Sequence, residues 1–276
     1  MINLVFILFS CSFKKNTSLS RLKEGEEIVL KMPSIGELEQ AIAEVPEKGK
    51  QSQLYFFRGL KKNRIDDFIQ SRSSGVACIQ EGTNFSVEGI DESSFELSTF
   101  DWSRVGECSS DTVSIILPIP KERKKIACTT WTILSWSKLL EYYQMEKGSI
   151  DSMRILILSS WLYEHQDCID SPWVSFAIAI GLLQGHEDPR SPFDKSTVLE
   201  KAESLVTKIW EDETVGALMK VWYINFYIHE AQHSSDLFQK WKKELIQIIE
   251  GAAVDSQIKK EAIKLYSLMQ TMSEED

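Results

Sequence analysis

QLYFFRG, residues 53–59, sets Leu54, Tyr55, Phe56 and Phe57 side by side between a break at Pro46–Gly49 and the lysine pair Lys61–Lys62. A short, unbroken apolar run rich in aromatics suits a buried strand. The flanks extend that reading. Upstream, Ser34 and Glu37 form an S-x-x-E capping box after Pro33, opening a helix with Ile35, Leu38, Ile42 and Val45 on one face. Downstream, KKNRIDDFIQS (61–71) spaces Ile65, Phe68 and Ile69 as a helix does, and GVACIQ (75–80) returns to strand character. A strand, a helix and a strand within about 30 residues permit a right-handed βαβ unit. EGT (81–83) before NFSVEGI (84–90) predicts a hairpin, and TVSIILPIP (112–120) is the strongest strand pattern in the chain, closed by Pro118 and Pro120.

From about residue 126 the periodicity becomes helical, in seven segments joined by short polar breaks. The first, near 129–147, carries Ile133, Leu134, Trp136, Leu140 and Tyr143 and stops at Gly148; the second, near 149–166, carries Met153, Leu156, Ile157, Trp161 and Leu162. Ser171 and Pro172 open a third in the N-cap and N1 places, and its WVSFAIAIGLLQG (173–185) holds no charge, which predicts burial on every side. Thr197 and Glu200 cap a fourth. The fifth, near 214–233, aligns Val215, Leu218, Met219, Trp222 and Phe226. SSDLFQKWKKELIQIIEG (234–251) stripes Leu237, Phe238, Trp241, Leu245, Ile248 and Ile249, and the last, near 255–272, stripes Ile258, Ala262, Leu265, Tyr266 and Met269. Short connections make neighbouring helices antiparallel. No residue signature recurs at a fixed period.

The expected fold is therefore α+β and predominantly α. Residues 1–32 form a poorly ordered tail, 33–122 a small mixed α/β domain, 123–272 a seven-helix antiparallel bundle or helical-hairpin stack, and 273–276 an acidic tail.

Composition narrows the function. In 276 residues, 43% hydrophobic and 26% charged content are those of a globular chain with a real core. A formal net charge of -10 argues against general nucleic-acid binding, which needs surplus cations against phosphates. The one basic run, Lys121, Arg123, Lys124 and Lys125, reads as a solvated helix entrance. Cys11, Cys78, Cys108, Cys128 and Cys168 are odd in number and form no C-x-x-C, so reduced, mostly buried thiols in a cytoplasmic protein are expected. MINLVFILFSCSFKKN (1–16) lacks the positive charge that precedes a secretory apolar core. Leu8, Phe9, Ser10 and Cys11 resemble a bacterial lipobox, which makes anchoring through a lipid on Cys11 the lesser expectation. No segment reaches the roughly 18 apolar residues of a membrane span.

Chemistry-bearing patterns are few. FRGLKKN (57–63) sets Gly59 and a lysine pair at an expected strand-to-helix turn, where an anion could meet amides, but no G-x-G-x-x-G or Walker arrangement accompanies it. A nucleotide-dependent assembly factor is the reading this would support. FYIHEAQHSSDLF (226–238) contains H-E-x-x-H. Four apart on a helix, His229 and His233 share a face and could ligate zinc, with Glu230 as general base for a metal-bound water.

In those five positions the chain resembles the zincin metallopeptidases. The resemblance implies a third ligand, for which Glu250 is the first candidate and Glu244 and Glu261 follow. It fails the metzincin extension, because Asp236 stands where glycine belongs and Gln239 where the third histidine belongs. The histidines also extend the Leu218, Trp222, Phe226 stripe into a last helical turn, where imidazolium favours the dipole. Of eight tryptophans seven fall in the helical half, as core or as the lining of an apolar pocket. The expectation is a protein–protein interaction adaptor or assembly subunit without a cofactor, with the zinc hydrolase as its alternative.

Overall fold

The computed structural model describes residues 34–90, 117, 119, 122–143, 150–166, 171–186, 194–210, 217–228, 236–252, 254 and 256–274. Among them are ten helices and no strand: α1 (Ile35–Glu44), α2 (Lys48–Lys62), α3 (Ile65–Gln80), α4 (Arg123–Tyr143), α5 (Ile150–Glu164), α6 (Pro172–Gly185), α7 (Lys195–Trp210), α8 (Ala217–Tyr227), α9 (Asp236–Glu250) and α10 (Ser256–Glu274). The α+β expectation is overturned. QLYFFRG lies inside α2 and GVACIQ ends α3, so no βαβ unit exists there. Residues 81–90 form turns in place of the hairpin, and Leu117 and Ile119 are buried outside any strand; residues 112–116 lie outside the described residues. The expected seven-helix bundle is overturned with it: α4–α10 are seven of ten described helices in an all-α chain, and they do not belong to one compact unit.

The chain divides into two units, Met1–Val206 and Thr207–Asp276. In the first, α1 begins with the expected reciprocal box: the Glu37 amide donates to Ser34 Oγ (3.3 Å) and the Ser34 amide to Glu37 Oε2 (2.7 Å). α2 ends on Asn63 with φ at 49°, the left-handed cap conformation that asparagine tolerates, and its last turn carries Lys61 and Lys62 against the negative end of the dipole. Arg58 of α2 then grips the buried Asp67 of α3, with Nη2 2.6 Å and Nε 3.1 Å from one carboxylate oxygen.

The reason α2 and α3 look like strands is their packing. α3 lies along α4 with Ser71, Gly75 and Cys78 facing Ser135, Thr132 and Cys128. The two serine hydroxyls are 2.5 Å apart, a Cβ on Gly75 would stand 2.2 Å from Thr132 Oγ1, and the two sulfurs form a disulfide. Ser52 of α2 joins the seam by donating to the Ser71 carbonyl (2.8 Å). Small polar side chains let the backbones approach, and buried hydroxyls satisfy themselves on the preceding turn, as Thr129, Thr130 and Thr132 do on Lys125, Ile126 and Cys128. Buried Lys125 closes the seam by donating to the Cys78, Ile79 and Glu81 carbonyls at the end of α3; its burial pushes the ammonium below the usual lysine range. α5 against α6 repeats the device, with Gly181 over Ser159 and Gly185 over Leu156. With no polar face left outside, α6 is enclosed as its uncharged sequence predicts: 11 of its 14 residues are buried.

The second unit packs differently. α9 buries Phe238, Trp241, Leu245 and Ile248 along one side, α10 buries Ile258, Ala262, Leu265 and Met269, and Tyr223 of α8 meets Trp241 edge-on at 6.0 Å.

Candidate functional site

The pentad that raised the zinc alternative lies outside the described residues, since His229, Glu230 and His233 all fall in 229–235. Of the proposed third ligands, Glu250 is exposed at the end of α9, and Glu244 already accepts from Trp210 Nε1 (3.3 Å) and Lys220 Nζ (2.9 Å). Among the described residues no three His, Cys, Asp or Glu side chains gather where a metal ion could sit. The expected phosphate turn is corrected as well: Gly59, Lys61 and Lys62 occupy the last turns of α2, a carbonyl-rich end that repels anions, and Lys62 pairs with Glu39 at 2.5 Å.

Cys78 and Cys128, expected as reduced thiols, are bonded to each other with Cα atoms 6.0 Å apart, a normal separation for a disulfide. Fifty residues separate them in sequence, so spacing alone could not pair them. Position 49 records the bridge too, because a Cβ on Gly49 would lie 2.8 Å from the Cys128 sulfur.

Beside the bridge the first unit opens into a recess of about 340 Å³. Three helices begin at its rim. α2 contributes Gly49, Lys50 and Gln53 with the N-cap residue Glu47, α4 contributes Arg123, Lys124, Ala127, Cys128, Thr130 and Trp131, and α6 contributes Trp173 and Val174 with its N-cap residue Ser171. Each start presents amides without an intrahelical acceptor and the positive end of a dipole. The floor is aromatic: Trp131 and Trp173 stand 5.3 Å apart, centroid to centroid, and Phe56 and Phe57 back them at 5.4 to 6.4 Å.

Among the described residues, three cationic side chains line the recess against the single carboxylate of Glu47. Lys50 reaches Glu47 at 3.4 Å, and Lys124 reaches Glu81 at 2.7 Å, a bond that raises the lysine pKa and lowers that of the glutamate. Arg123 has no carboxylate partner among the described residues. Three further donors face no acceptor there: the Ser171 hydroxyl makes no cap bond, and Gln53 and the Trp131 indole N–H, on a side chain only 6% exposed, bond to no described residue. The arrangement can hold an anion above an apolar floor.

Half of this recess lay in plain view in the sequence. Arg123 and Lys124 belong to the basic run read as a helix entrance, which they are, and Trp131 and Trp173 were among the candidate pocket tryptophans. Lys50 and Gln53 went unnoticed, because the helix start at Lys48 was hidden under the strand reading. Comparison with models of known protein families, with curated proteins and with solved structures finds no match.

Proposed function

We propose that the chain is a binding protein, an adaptor or assembly subunit that captures an anionic end of a protein partner in the recess where α2, α4 and α6 begin. One observation carries the reading: in a chain of net charge -10, three helix starts and Lys50, Arg123 and Lys124 converge on an aromatic floor. The local sign opposes the global one, so the recess favours an anion against the net charge of the chain. Desolvated aromatics flanked by arginine are also the chemistry that dominates protein interfaces. The test is a photoreactive side chain at Gln53, on the rim, set against one at Gln247 on the exposed side of α9. Crosslinking in the native host from position 53 alone, lost on Arg123→Glu, supports the reading; equal capture from both positions refutes it.

The disulfide favours a second reading, of location. Cytoplasmic placement rested on five reduced thiols, and a bridge between Cys78 and Cys128 belongs to an oxidising compartment. Lipid attachment at Cys11, within LFSC (8–11), suits that compartment; among the described residues no helix is long and apolar enough to cross a membrane. Alkylation of native lysate under acid quench tests the placement: Cys78 and Cys128 protected from the reagent support it, and both labelled without prior reduction overturn it.

A further inference from the structure

We propose that the group seated in this recess is a carboxylate borne on one large apolar group, foremost an aromatic one, as at a chain end finishing in tryptophan or phenylalanine. The inference rests on the binding role above and specifies its chemistry.

Size sets the first limit. About 340 Å³ lies at the low end of the roughly 300–1,000 Å³ of small-molecule sites, enough for one large side chain with its carboxylate and too little for a folded segment. The floor sets the second. Trp131 and Trp173 line the recess 5.3 Å apart and tilted by 49°, so its floor is aromatic and suits an apolar, foremost aromatic, group. The polar groups set the third: beside the Glu47 carboxylate, which Lys50 engages, the described ones are mostly donors. Arg123 extends a fork matched to a carboxylate, Lys50 and Lys124 supply charge, and the Ser171 hydroxyl, which makes no cap bond, adds a further donor at the rim. A carboxylate brings two oxygens; a neutral amide in the same place brings one and a competing donor.

The probes are N-acetyl-tryptophan and N-acetyl-tryptophan amide, titrated into the full chain with heat of binding and the ¹⁵N-indole signals as readouts. The acid is expected to saturate and to shift the Trp131 indole signal, and the amide to bind at least tenfold more weakly. Arg123→Gln, checked for an unchanged melting temperature, should weaken the acid at least tenfold and leave the amide as it was. Equal binding of acid and amide, or no binding of the acid at millimolar concentration, overturns the proposal. So does an acid affinity indifferent to Arg123→Gln. A third probe, an acetylated pentapeptide ending in free tryptophan, separates the two levels of the argument. Binding tighter than the single amino acid supports a chain terminus as the source. Binding no tighter sinks the adaptor reading while the ligand class stands.

Discussion

α3 and α9 bury themselves by opposite means. α3 brings Ser71, Gly75 and Cys78 against α4, a seam of small and polar groups whose hydroxyls bond to one another and to Ser52 of α2, whereas α9 offers its unit four bulky apolar residues along one side. The first mode gains from closeness of backbones and exact fit of hydroxyls. The second gains from area removed from water. A helix of the second kind writes its burial into the sequence as a stripe, and a helix of the first kind does not.

The comparison is sharpest at Trp241, which is 1% exposed and sits mid-stripe on α9. Truncation there removes a large apolar surface and leaves a cavity beside Tyr223. Trp241→Ala should destabilise by about 3–5 kcal/mol, read as a fall in the urea midpoint. Ser135→Ala, its seam counterpart, removes one hydroxyl bond and should lose about 1 kcal/mol. Equal losses would mean that the two modes store stability alike.

The same contrast explains what could be read in advance. Phe238, Trp241, Leu245 and Ile248 recur at helical spacing with charges opposite, so α9 was legible to its stop at Gly251. In α2 and α3, by contrast, Ser52, Ser71 and Ser74 are buried while their positions read as polar and solvent-facing. Stripped of those positions, the apolar residues that remain look like short runs, Leu54–Phe57 and Val76–Ile79, which is how strands appear. Capping chemistry survived the misreading, since Ser34 and Glu37 act locally. Thr197 did not: α7 starts earlier, at Lys195, because the Asp194 carboxylate takes the Thr197 amide at 3.0 Å. The recess was half legible for the same reason, its residues being visible one by one and their meeting a product of packing.

Covalent closure separates the regions next. The Cys78–Cys128 bridge ties the seam over 50 residues of chain, and a loop of that length is worth about 2–4 kcal/mol to the folded state. The Cys78→Ser, Cys128→Ser double variant should lose that much, and reductant should lower the melting point of the parent chain and leave the variant unmoved. An identical midpoint with and without reductant would show that the hydroxyl seam holds α3 on α4 unaided.

Adding a methyl group probes closeness from the other side. At Gly181 a Cβ would stand within 2.8 Å of the Ser159 Cβ and closer still to its hydroxyl, which is engaged with the Ile155 carbonyl at 2.7 Å. Gly181→Ala should therefore destabilise by about 1–3 kcal/mol through overpacking, against the helix propensity that alanine would otherwise add. Gly36, exposed in the first turn of α1 with nothing within 4 Å, is the control, and Gly36→Ala should be neutral or stabilising in the same thermal melt. A stabilised Gly181→Ala would mean that α5 and α6 have room to move apart.

The smallest effect distinguishes the seam from its own exposed edge. Inside the seam, serine hydroxyls bond to carbonyls and to each other, and no partner titrates, so acid should leave those contacts unchanged. At the start of α1 the same kind of serine bond is reciprocated by Glu37, whose carboxylate is held below the ordinary glutamate range by the backbone N–H of Ser34 and then by its hydroxyl. A carboxylate pKa lowered on folding adds stability that is complete above the unfolded value of about 4.3 and vanishes as pH falls through the folded one. Ser34→Ala should lose about 1 kcal/mol at pH 7. Glu37→Gln should lie closer to the parent at pH 3 than at pH 7, when urea midpoints are compared at both. If the gap between Glu37→Gln and the parent is the same at both pH values, the box contributes through its neutral hydrogen bonds, and the exposed edge works by the same uncharged chemistry as the buried seam.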